Sequence, residues 1–329
     1  MKLHSRLAVV LVILSSSFLS SFRAEACDFC MLGQGVSPYL TATGKGLTLG
    51  INSQELDKIY NKSTAIDSLG KKEYWLLYSL TGFFPVTDDL TVLITLPYSI
   101  KTNIEFESAS NSNPGTLTSG IADATLTGRY TVLRDHTLES TFIVGLLGGI
   151  KLPTGTTGNR NRTGEPVDRR ALPGTGSWDF DLGFSASLAK ASGFQLTLDS
   201  VYRISTTGKW NERDHRYGNT LNYSTKGYYR VAQTQGGSSF MPFFGVSGET
   251  TAREVGLQTD TDYFPGTKNP STGGTVLYGN VGLYSILSPT TLVNFGFSKA
   301  LYHHMHYDAD FDADPAENYK LDFSITYLF

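Results

Sequence analysis

The chain ends "NYKLDFSITYLF", and this stretch constrains the fold more than any other. Tyr319, Leu321, Phe323, Ile325, Tyr327 and Phe329 alternate one for one with Asn318, Lys320, Asp322, Ser324, Thr326 and Leu328. A period of two belongs to a β-strand, whose successive side chains point to opposite faces. One face of this strand is therefore apolar and aromatic, and the other is mostly charged or hydroxylated. A soluble β-sandwich would bury the apolar face as core, and its chain would seldom stop on that face.

The pattern recurs upstream. Trp178, Phe180, Leu182, Phe184, Ala186 and Leu188 alternate with Asp179, Asp181, Ser185 and Ser187. Phe194, Leu196 and Leu198 alternate with Gln195, Thr197 and Asp199. With 34 Gly, 18 Tyr and 19 Phe against only 17% charged residues, the composition also favours β-structure. We expect twelve strands, over about 46–56, 72–84, 88–101, 120–133, 137–152, 175–190, 193–206, 223–235, 239–252, 274–287, 290–306 and 318–329.

The connections between them sort by length. "PVTDD", "RDHT", "KASG", "QGGS" and "SPT" are short turns carrying Gly, Pro or Asp, whereas 57–71, 102–119, 153–174, 207–222, 253–273 and 307–317 are long. Short turns at one rim, long loops at the other and an even strand number describe an outer-membrane barrel with periplasmic termini. There the apolar faces meet lipid and the charged faces look into the lumen. The expected fold class is therefore an all-β, transmembrane, antiparallel up-and-down β-barrel of about twelve strands. A final strand closing on Tyr327 and Phe329 resembles the signal by which barrel-assembly machinery recognises such chains.

The N-terminus supplies the route. Lys2 and Arg6 precede the apolar run "LAVVLVILSSSFL", and "AEA" at 24–26 offers the small residues of a signal-peptidase site. We therefore expect a signal peptide over 1–26, a periplasmic leader over 27–45 and the barrel over 46–329, in the bacterial outer membrane. Cleavage removes Lys2, Arg6, Arg23 and Glu25, taking the chain from 27 basic and 30 acidic residues to 24 and 29. That mild acidity carries no nucleic-acid signature. The expected partners are outer-membrane lipid and lipopolysaccharide, the assembly machinery and a periplasmic protein at the N-terminus.

Alternation points Arg129, Lys151, Asp179, Asp181, Asp199, Arg203, Arg230, Lys320 and Asp322 inward, either as a salt-bridged interior or as a selectivity lining. Two further clusters carry chemistry. Cys27 and Cys30 form C-x-x-C, but Met31 comes next where haem attachment needs His, and no βαβ setting or further pair of zinc ligands is near. A disulfide, docking of a partner, metal capture and lipidation of Cys27 stay open. In "YHHMHYDADFDADPAE", His304 and His306 share one face of the eleventh strand, and Asp308 and Asp310 come after them with the same spacing. Imidazoles suit transition metals and carboxylates suit calcium or magnesium, although the EF-hand spacing is absent. A solvated acidic loop is the plain alternative, and no cofactor is required. His136 and His215 stand apart from any nucleophile, so we expect no enzyme.

"LPTG" (Leu152, Pro153, Thr154, Gly155) and "GTGSWD" (Gly174, Thr175, Gly176, Ser177 and Asp179) resemble the motifs of the phenol-degradation meta-pathway-like family of outer-membrane barrels. The resemblance implies a channel for small, often apolar or aromatic compounds, by passive or facilitated diffusion. The alternatives are a metal- or redox-linked barrel using Cys27, Cys30, His304 and His306, and a structural barrel with a closed lumen.

Overall fold

The computed structural model describes residues 44–66, 72–104, 106–107, 111–112, 116–160, 167, 169–210, 213–234, 238–256, 271–307 and 316–329. Twelve long strands form its wall: β1 (Gly46–Asn61), β2 (Lys72–Pro85), β3 (Leu90–Ile104), β4 (Thr125–His136), β5 (Ser140–Lys151) and β6 (Asp179–Lys190). They continue as β7 (Phe194–Ile204), β8 (Thr220–Tyr229), β9 (Ser239–Thr251), β10 (Gly274–Ser288), β11 (Thr291–Met305) and β12 (Ala316–Leu328). Each strand pairs antiparallel with the next. β12 returns to β1 with Leu49 opposite Ile325, while Leu49 meets Leu80 of β2 on its other side. The sheet therefore closes and leaves no edge strand.

The two faces obey the alternation, inverted relative to a soluble protein. Leu47, Leu49 and Ile51 of β1, Phe180 and Leu182 of β6, and Leu321, Phe323 and Ile325 of β12 are exposed on the outside. The residues between them, Thr48, Asn52, Asp179, Asp181, Lys320 and Asp322, are buried on the inside. The contrast is sharp at neighbours: Leu182 is 58% exposed and Asp181 is 2% exposed. Apolar area facing out and polar groups facing in suit a barrel whose surroundings are apolar.

The expected sorting of connections is present. Residues 86–89, 137–139, 191–193 and 289–290 join strands tightly at one rim, and the long connections leave the other. The strand list differs from expectation chiefly in four places. β6 starts at Asp179 rather than 175. β1 continues to Asn61, through register shifts around Leu56. β8 starts at Thr220 and ends at Tyr229, and Ala232–Gln233 forms a separate short pairing with β9. The strand expected over 120–133 is split: Thr116–Ile121 pairs with the upper half of β3, β4 pairs with the lower half, and residues 122–124 interrupt them opposite Pro97. Proline supplies no N–H to a ladder, so the neighbouring chain is free to leave strand geometry there.

Candidate functional site in the barrel lumen

Most of the inward charges predicted from alternation meet a partner on the neighbouring strand. Asp181 of β6 lies opposite Arg203 of β7, and the guanidinium donates both Nε–H and Nη2–H to its carboxylate at 2.8 Å. Asp179 lies opposite Lys151 of β5, whose Nζ is 2.6 Å from its carboxylate. Lys320 contacts Glu317 at 2.5 Å and sits over the Tyr278 ring. Arg129 donates through Nε to Ser185 at 3.2 Å, and Asn52 donates to Asp322. Asp199 is half-buried on β7. Arg230 is placed differently from the other eight: it lies just past β8, in the connection to β9, and donates to Gln233 at 2.9 Å.

The family-like motifs converge on a residue that the alternation and motif patterns do not single out. Asp123 lies in the 122–124 interruption. One carboxylate oxygen accepts the Gly155 N–H at 2.9 Å, and the other accepts the Thr175 N–H at 2.8 Å and the Thr175 hydroxyl at 2.6 Å. Lys151 Nζ stands 3.2 Å from the same carboxylate, so Asp123, Lys151 and Asp179 form one ion cluster. Thr154 closes the turn by accepting the Ala124 N–H at 2.8 Å. Gly155 and Gly174 press together: a Cβ added to either would lie 2.5 Å from the other's backbone. Gly176 has a φ of +68°, a conformation that L side chains avoid. The motif residues thus staple both ends of the 152–178 connection to the wall.

Between its stapled ends, the described residues of this connection contact β3 on one side and the connection after β9 on the other. A 3-10 turn spans Arg169–Ala171, and Val167, Ala171 and Leu172 form a small buried apolar cluster. On one side Lys101 of β3 donates to the carbonyls of Arg170 and Leu172 at 2.9 and 3.0 Å, with its ammonium over the Trp75 ring at 4.5 Å. Thr118 donates to the Ala171 carbonyl. On the other side Arg169 contacts Glu254, beyond the end of β9, through Nε at 2.9 Å and Nη2 at 2.7 Å. His215 Nε2 is 3.2 Å from the same Glu254 oxygen and its ring meets Tyr217 edge-on. Burial alone would raise the Glu254 carboxyl, but Arg169, His215 and Arg170 outweigh it and hold the group well below the ordinary carboxylate range. His215, which looked isolated in sequence, is part of this cluster.

Towards the turn rim the wall carries aromatics. Phe243 lies across Gly282 and Gly296, which have no side chains to obstruct it. Tyr228 stands 5.2 Å from the Phe243 ring and 6.2 Å from the Tyr284 ring, centroid to centroid, and Lys226 sits over Phe243.

At the long-loop rim a register shift between Leu277 and Tyr278 leaves Leu301 unpaired and reverses the facing of the residues after it. Leu301 and Tyr302 are both exposed, and His303 turns inward. Its ring stacks on Tyr60 at 3.9 Å and its Nε2–H donates to the Glu317 carbonyl at 2.8 Å. His304 is half-buried on β11, and His306 lies just past the strand and is buried. Asp308, Asp310, Cys27 and Cys30 lie outside the described residues. Among the described residues no three His, Cys, Asp or Glu side chains are grouped to hold a metal ion. Tyr327 and Phe329 are exposed and stack at 6.4 Å.

No family model matches the sequence, and no curated protein matches it. Solved structures do resemble the fold. An outer membrane channel from Pseudomonas putida F1 is 16% identical, with a TM-score of 0.65 over 93% of this chain and 100% of that one. The beta domain of the Bordetella autotransporter BrkA is 8% identical, with a TM-score of 0.47 over 87% of this chain and 100% of that one. The CymD monoaromatic hydrocarbon channel is 12% identical, with a TM-score of 0.39 over 88% and 90%. The chain therefore shares the closed-barrel fold of the outer membrane channel from Pseudomonas putida F1.

Proposed function

We propose that the protein is a bacterial outer-membrane channel through which a small uncharged solute, including one bearing an aromatic ring, diffuses along the lumen. The observation that carries this reading is the inversion of the two faces. An exposed apolar band on every side has a favourable environment only in lipid, and a closed ring of polar side chains inside it is a hydrated path. The lipid contact would include Tyr327 and Phe329 at the end of the last strand. The long-loop rim is the extracellular one and faces lipopolysaccharide, and the turn rim, where β1 starts and β12 ends, is periplasmic.

The solute class follows from charge and shape. Lys151, Arg203, Lys320 and Arg169 each contact a carboxylate, so this part of the wall offers little net charge to attract an ion. Tyr228, Phe243 and Tyr284 near the periplasmic rim offer ring faces to an aromatic solute. The similarity of the P. putida F1 structure, itself an outer membrane channel, supports the same reading.

The test is solute uptake by purified protein in liposomes, using glucose and phenyl glucoside, both neutral and poorly permeant through lipid. Swelling above protein-free vesicles, faster for phenyl glucoside than for glucose, is expected. Swelling equal to that of protein-free vesicles for both solutes, with wild type and with folded Glu254→Gln alike, would overturn the proposal.

A further inference from the structure

We infer that residues 169–173 form a strap that holds the channel closed, latched by Arg169 on Glu254, and that loss of this latch opens the lumen. The inference rests on the reading of the lumen as a solute path. Its first support is topological. Lys101 belongs to β3, whereas Glu254 leaves the end of β9, six strands away in a ring of twelve. A segment bonded to both connects opposite sides of the mouth.

The two attachments also differ in kind. On the β3 side the strap is held by its backbone: Lys101 takes two carbonyls, Thr118 takes a third, and Pro173 packs 3.3 Å from where a Gly120 Cβ would stand. No strap side-chain charge is needed there, so this end behaves as the fixed end. On the β9 side the attachment is an ion pair between two connections, with Arg169 Nε and Nη2 at 2.9 and 2.7 Å from a single Glu254 oxygen. Arg169 is 7% exposed and Glu254 is 1% exposed, so the pair is shielded from competing water. Glu254 draws His215 to the same oxygen at 3.2 Å, which ties the 207–216 hairpin into the closure. The Tyr217 hydroxyl adds a neutral hydrogen bond to the Arg169 carbonyl at 3.1 Å, and the ion pair is the charged, stronger attachment beside it. A shielded charge contact opposite a backbone-held end is the arrangement of a latch. Its removal takes away the charged attachment on that side and leaves the Tyr217 hydrogen bond and the staple at Asp123 in place.

The experiment compares full-length protein with Glu254→Gln, Arg169→Met and the charge exchange Arg169→Glu with Glu254→Arg, in planar bilayers and in the liposome assay. Heat-modifiable gel mobility confirms that each variant is folded. Each single variant is expected to raise the open fraction about tenfold, a shift that one buried charged hydrogen bond can supply, and the exchange should return it towards wild type. Arg134→Met, which removes a surface pair with Asp89 at the opposite rim, should leave it unchanged. Folded single variants that gate and take up phenyl glucoside at the wild-type rate overturn the latch and leave the channel standing. If neither wild type nor any folded variant conducts or takes up solute, the latch and the channel reading fall together.

Discussion

Removing the Asp123 carboxylate is the sharpest test of why the two sequence motifs sit where they do. Asp123→Ala leaves the Gly155 and Thr175 N–H groups, now 2.9 and 2.8 Å from its oxygens, without their acceptor. Hydrogen bonds to a charged group contribute about 1.5–3 kcal/mol each. Both donors belong to half-buried residues that water can partly reach, so the lower value applies to each, giving a loss of about 3 kcal/mol. The larger penalty of about 3–5 kcal/mol for stranding a buried charge does not arise, because Lys151 keeps Asp179 at 2.6 Å. Asp123→Asn keeps one acceptor oxygen and should lose about half as much. Asp89→Ala provides the comparison, since its pair with Arg134 is 3.7 Å long and solvated and contributes about 0–1 kcal/mol. The assay is urea unfolding of protein refolded into lipid vesicles, monitored by tryptophan fluorescence. An Asp123→Ala loss no larger than that of Asp89→Ala would refute the staple.

Other substitutions and a pH titration probe neighbouring contacts. Gly155→Ala should destabilise the barrel by about 2–3 kcal/mol, because its Cβ would lie 2.5 Å from the Gly174 backbone. Gly158→Ala, with nothing within 4 Å, should leave the urea midpoint unchanged or slightly raised. Arg203→Met should cost about 3 kcal/mol by stranding Asp181, whereas Arg203→Met with Asp181→Leu should recover most of that loss in the same unfolding assay. Glu254 predicts the pH response of the latch. Its carboxyl is held well below the ordinary 4.5, so the stability it contributes is present above that value and disappears only as pH falls through the lower folded-state one. Bilayer conductance should therefore stay at its neutral-pH level down to about pH 4.5 and rise only in stronger acid. A rise already complete at pH 5 would contradict the ionised Glu254 on which the latch depends.

The strands were legible because a period of two needs only neighbouring residues, and the loop sorting was legible because turn chemistry is local. Features that depend on register were not. The shift that strands Leu301 follows from how β11 meets Tyr278 on β10, and "ALYHHM" gives no sign that His303 turns inward while its neighbours do not. Asp123 shows the same limit from the other direction. The L-P-T-G and G-T-G-S-x-D motifs were visible, but the carboxylate they surround lies in "IADA", roughly thirty residues before one motif and fifty before the other. Arg169, His215 and Glu254 come from three separate connections, and no linear pattern joins them.

Register also divides the charges of the lumen by what they can do. Asp181 with Arg203 and Asp179 with Lys151 are direct cross-strand partners, so once two strands pair, these contacts form with them. The ladder holds their backbones in register, and their contribution is therefore to the stability of the closed sheet. Arg169 and Glu254 belong to no common ladder, and their pair can part while all twelve strands stay hydrogen-bonded. Low-stability elements are where a protein can move without unfolding. A barrel wall joined by a continuous ladder has little freedom to gate, so a change in passage has to arise in the connections. The ion pair between two connections across the mouth is where this chain places that freedom.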